Sequence, residues 1–128
     1  MKFLAEDDQL TVTLEGVEVF FALKRKLVIK RSDIVDLQWQ PKFKLDRRLW
    51  RIGGADIPRA VWAGRFIGGG KRYFLYIRGP KGLTWSPTPQ DLQNILVITI
   101  QNSFYHEILL TCAPDIAASL LNWFHGPA

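Results

Sequence analysis

Apolar residues recur along this chain at a period of two or in short unbroken runs, and the runs are rich in Val, Ile, Phe, Tyr and Trp. Period two is the repeat of a strand with one buried face, and a short unbroken run is that of a strand buried on both. This pattern predicts strands over Leu10–Leu14, Leu27–Lys30, Ile34–Gln40, Ala60–Ile67, Arg72–Arg78, Ile95–Ile100 and His106–Cys112. Turn formers punctuate them: Gly53-Gly54, Gly68-Gly69-Gly70, Gly79-Pro80-Lys81-Gly82, Pro87-Thr88-Pro89 and Asn102-Ser103. Over Gly16 to Lys26 the spacing of Val17, Phe20, Phe21 and Lys24 favours a short helix, although Val17, Val19, Phe21 and Leu23 also alternate as a strand would.

The period changes at the C-terminus. Pro114 suits the first helical position and Asp115 the first turn, while Gly126-Pro127 stops the helix. Ile116, Leu120, Trp123 and Phe124 are expected to line its buried face. The expected fold is mainly β, a bent seven-stranded antiparallel barrel closed at one end by this helix. With 128 residues, 48% of them hydrophobic, residues 1–128 are read as one domain with one core.

Arg51 to Arg78 combines glycines with cations, the composition of a phosphate cradle. A Walker loop requires Gly-Lys-Ser or Gly-Lys-Thr, yet Gly70-Lys71 precedes Arg72 and Arg65 stands where the leading glycine would be. The dinucleotide fingerprint fails at Tyr73, and a strand rather than a helix follows. Gly68 to Gly70 therefore read as a hairpin turn, and Gly64 as a bend or bulge inside a strand.

The same stretch resembles a known family. Trp50-Arg51-Ile52-Gly53-Gly54, Ile57-Pro58, Ala63-Gly64 with Phe66, then Arg72, Phe74 and Arg78, are similar to the central motif of small bacterial pleckstrin-homology-like proteins. The apolar runs Leu96–Ile100 and His106–Cys112 before a helix starting at Pro114 agree with that pattern, which extends from about Gln9 to Phe124. Arg59 departs from it where a second glycine is expected, and Cys112-Ala113 replaces an acidic pair. The resemblance implies a bent barrel with a C-terminal helix and leaves the molecular role open.

Chemistry is sparse in the sequence. Cys112 lies in an apolar run and reads as a small buried thiol, which suits a reducing compartment. His106 and His125 read as solvated, Glu6, Asp7 and Asp8 as a frayed acidic end, and no histidine or cysteine pair has zinc spacing. No catalytic residue, metal site or cofactor is expected. The acidic turn after MKFLA interrupts any secretory signal and no run approaches a membrane span, so a cytoplasmic location is expected.

Charge is uneven. Residues 24 to 72 carry fourteen Lys and Arg against four Asp, a local net of +10 in a chain of net +5. Such a balance either attracts phosphate-bearing partners or keeps a small barrel soluble. Lys24, Arg25, Lys26, Lys30 and Arg31 form the cradle suggested by lipid-binding relatives of the fold, and Lys42, Lys44, Arg47, Arg48 and Arg51 a second one. Cations beside rings, as at Trp39 with Lys42, Phe43 and Lys44 or Trp50 with Arg47, Arg48 and Arg51, also have the composition that stacks single-stranded bases. Trp62 and Trp123 are expected in the core, and Pro41 to Arg51 in a long connection. The leading expectation is a non-enzymatic binding or scaffold domain whose partner is a protein, including a second copy through a strand edge. Electrostatic binding of anionic lipid headgroups or nucleic acid is the alternative.

Overall fold

A computed structural model describes residues 1–14, 26–45, 49–57, 61–78 and 90–126. It is mainly β, with two sheets and a C-terminal helix. Among the described residues the strands are β1 (Lys2–Ala5), β2 (Gln9–Thr13), β3 (Lys26–Lys30), β4 (Ile34–Leu45), β5 (Trp50–Ile57), β6 (Val61–Gly68), β7 (Lys71–Arg78), β8 (Gln90–Ile100) and β9 (Glu107–Thr111). The helix, α1, spans Pro114–His125. The expected helix over Gly16 to Lys26 lies outside the described residues, except that Lys26 opens β3.

The strands form a three-stranded sheet, β1-β2-β3, and a six-stranded sheet, β4-β8-β9-β7-β6-β5. Three expectations change. Nine strands replace seven, in two sheets and without a closed barrel among the described residues. The Glu6 to Asp8 segment is a hairpin turn: the Glu6 N–H donates to the Gln9 carbonyl at 2.8 Å, and Leu4 pairs with Thr11. Nor is every pairing antiparallel, because β7 and β9 run parallel, Phe74 opposite Ile108 and Leu75 opposite Leu109.

The large sheet is apolar on both faces, which explains its unbroken hydrophobic runs. Phe74, Tyr76, Leu96, Ile98, Ile108 and Leu110 meet Leu10, Val12, Leu27 and Ile29 of the small sheet in a first core. Leu75, Ile77, Ile95, Val97 and Leu109 point the other way, into a second core with Trp62, Phe66, Leu45 and Leu49. In β4 and β8 the inward set changes allegiance midway: Leu37 and Ile98 belong to the first core, Phe43 and Leu92 to the second. The change falls between the Gln40/Ile95 and Lys42/Gln93 pairs, at Pro41, which has no N–H, and Asn94, whose φ is +57°. Pro41 to Leu45 thus continues a strand where a long connection was expected, and an outermost strand is where proline is tolerated.

The helix starts and stops where expected, with Pro114 in the first turn and Gly126 beyond the last, and of its expected buried face only Ile116 turns outward. Ala117 and Leu120 are buried and Leu121, Trp123 and Phe124 half-buried against the first core, whereas Ile116 is 42% exposed. This face packs on β4 and β1, one strand from each sheet. Arg31 fastens the end: its Nη2 donates to the Phe124 carbonyl at 2.6 Å, and its guanidinium lies 5.8 Å from the Trp123 ring centre. The Trp123 indole N–H donates to the Glu6 carbonyl.

Candidate functional site

Gly68 pairs with Lys71, so Gly69 and Gly70 alone turn the β6–β7 hairpin. Their φ values, +57° and +77°, meet the requirement of a type I′ turn for two left-handed residues. The expected turn is found. Gly64, at φ +113°, bends β6, and the neighbouring bulge falls in β5 between Arg51 and Gly53.

This turn forms one side of an open cleft of about 480 Å³, lined by Trp50, Ile67, Gly68, Gly69, Gly70, Lys71 and Arg72. Register explains its composition. Trp50 pairs with Ile67 and Ile67 with Arg72, so the three side chains share one sheet face. It is the face that carries Ala63, Phe74 and Tyr76 into the first core. Trp50 is 57% exposed there.

The β8–β9 loop supplies the next layer. The backbone N–H of Arg72 donates to His106 Nδ1 at 3.0 Å, and the His106 N–H donates to the Arg72 carbonyl at 2.8 Å. His106 is therefore a half-buried latch and not a freely solvated side chain, with Nδ1 accepting from the backbone. The latch holds Phe104, 51% exposed, over the sheet. The guanidinium of Arg72 lies 4.7 Å from the Phe104 ring centre and that of Arg65 5.8 Å, and Arg72 Nε donates to the Phe104 carbonyl. Phe104 in turn packs edge-on against Tyr105, and Tyr105 against Phe74 of the core. Among the described residues Arg65, Lys71 and Arg72 form no ion pair.

Of the ten cations singled out in the sequence, Lys26, Lys30, Arg31, Lys42 and Lys44 are described. Lys26 and Lys30 stand exposed on the outer face of β3, and Lys42 and Lys44 on β4, where Lys42 is 3.5 Å from Asp91. Arg31 serves the helix end and shares a smaller cleft with Asp7, Asp8, Ser32 and Phe124. Lys24, Arg25, Arg47 and Arg48 lie outside the described residues, as does the side chain of Arg51. The cluster at Phe104 was missed because Arg72 and Phe104 are 32 residues apart and meet only through the parallel β7–β9 pairing. The local signal available was weaker: Arg65 and Ile67 alternate with buried Phe66.

Other chemistry is limited. Burial, with a smaller contribution from the Asp115 charge, pushes the Cys112 thiol up to about 11. No helix among the described residues is long and apolar enough to cross a membrane, and no group of three potential metal ligands is found among them. No family model, curated protein or solved structure matches the chain.

Proposed function

We propose that the chain is a non-enzymatic binding or scaffold domain of pleckstrin-homology-like architecture, and that its partner is a protein docking beside β5. The observation that carries this is Trp50: a large ring exposed next to Ile67, on a strand at one end of the described sheet. An outermost strand offers backbone groups to an incoming one, and an adjacent aromatic provides a contact anchor. The other outer strands are less suited to pairing. β3 bears Lys26 and Lys30, β4 bears Pro41, Lys42 and Lys44, and β1 is short and lies beside the helix.

Light scattering and affinity capture with the wild-type chain and Trp50→Glu test this reading. Assembly or a retained protein partner is expected for the wild type and is lost in the variant. A wild type that stays monomeric and retains only what Trp50→Glu retains overturns it.

A second reading, electrostatic recognition of an anionic partner, is supported by Arg65 and Arg72 sharing one ring with Lys71 alongside. It adds this cleft to the basic contacts expected from the sequence.

A further inference from the structure

Two guanidinium groups held against one phenylalanine ring are a costly arrangement unless something offsets their repulsion. An ion pair with a carboxylate usually does so, and among the described residues Arg65 and Arg72 have none. Arg72 is moreover fixed before any ligand arrives, by two backbone bonds to His106 and one side-chain bond to the Phe104 carbonyl. A prepositioned arginine with no counter-charge among the described residues, beside a cleft, forms an anion site that has already lost part of its conformational freedom.

The rest of the cleft defines which anion. The exposed Trp50 ring lines the same cleft as Lys71 and Arg72, and the glycine turn at its side carries no side chain to obstruct a ligand. A Cβ built on Gly70 would meet nothing within 4 Å. The volume, about 480 Å³, lies within the ~300–1,000 Å³ range of pockets that take a planar ring with its substituents. A cleft lined by both an aromatic ring and cations suits a base and its phosphate better than a flat membrane.

We propose that this cleft binds single-stranded nucleic acid, one base stacking on Trp50 while the adjoining phosphate sits against Lys71 and Arg72, with Arg65 reinforcing the field. The inference rests on the electrostatic reading above and names its ligand class. Stacking and phosphate contact both tolerate any base, so binding is expected to depend little on sequence.

The test is fluorescence polarisation of a labelled oligothymidylate of about ten nucleotides, within the ~4–16-nucleotide range of single-strand sites, at about 50 mM salt. Trp50→Ala is expected to weaken binding by about 5-fold to 150-fold, the equivalent of the ~1–3 kcal/mol measured for loss of a base–aromatic stack. Trp50→Phe restores most of it. Arg65→Ala and Arg72→Ala weaken binding and each reduces the salt slope by about one, while Arg72→Lys retains part of the affinity. The Lys26→Ala/Lys30→Ala double variant, on the other sheet, leaves binding nearly unchanged. Thermal melting confirms that each variant is folded.

No binding of the oligonucleotide by the folded wild type overturns the inference, and so does binding that Trp50→Ala leaves intact. Retention on heparin that Arg65→Ala and Arg72→Ala abolish, without oligonucleotide binding, leaves the electrostatic reading standing and removes the nucleic-acid one. Binding to anionic phospholipid vesicles in place of the oligonucleotide likewise removes it. Failure on both heparin and the oligonucleotide removes both readings.

Discussion

Cys112 shows how far one residue type restricts its own chemistry. Its thiol is buried between β9 and the helix, in contact with the first core. Raised to about 11 from an ordinary 9.0, it stays protonated at neutral pH and is a poor nucleophile there. The shift also has a consequence for stability. Below pH 9 both the folded and the unfolded chain keep the proton, so the folded state has its full stability. Between pH 9 and 11 the unfolded chain releases it while the folded chain does not, and stability falls as pH rises. Urea midpoints at pH 8 and pH 10.5 should therefore drop less in Cys112→Ala than in the wild type. An equal drop would place the titrating groups elsewhere.

At the scale of elements, the helix gives the sharpest contrast between pattern and packing. The sequence places Ile116 on its buried face; the fold turns it outward and Ala117, Leu120, Leu121, Trp123 and Phe124 inward. Leu120→Ala is accordingly expected to cost about 2–5 kcal/mol by leaving a cavity beneath the helix, and Ile116→Ala less than about 0.5 kcal/mol. Chemical denaturation of the two variants measures both. Equal costs would mean that the helix docks through its other side.

The same contrast explains what was readable from the sequence and what was not. Six of the seven expected strands start within a residue or so of an observed one, because alternation and β-branched runs are local signals; the seventh, β8, starts five residues earlier than expected, across the Asn94 irregularity. β1 and β5 escaped for different reasons. Four residues ahead of an acidic turn carry little pattern, and only pairing with β2 makes Lys2–Ala5 a strand. Gly53 and Gly54 weigh towards a turn, yet β6 supplies them with paired partners at Arg65 and Gly64. The glycine hairpin was legible because positive φ is demanded by a two-residue turn and met by glycine. The site at Phe104 was not, since no local period reports that a loop closing β8 to β9 will be laid across β7.

On the scale of the whole molecule, the two cores share one sheet, and this makes their stabilities inseparable. In β8 the consecutive residues Ile95 and Leu96 are both fully buried but face opposite cores, as do Leu109 and Leu110 in β9. Loss of packing on either face loosens the same hydrogen-bonded strands, so neither core can melt while the other keeps its backing. Ile95→Ala and Leu96→Ala should each cost about 2–5 kcal/mol, although they empty space on different sides of the sheet. Each should also unfold in one transition, seen at the same urea concentration by far-ultraviolet circular dichroism and by tryptophan fluorescence, which reports on Trp62 in the second core and Trp39 and Trp123 beside the first. Two separated transitions in either variant would mean that the small sheet and helix form a unit able to detach from the large sheet. In that case the cleft at Trp50, carried by the large sheet and backed by Phe66 and Tyr73 of the second core, would outlast the small sheet.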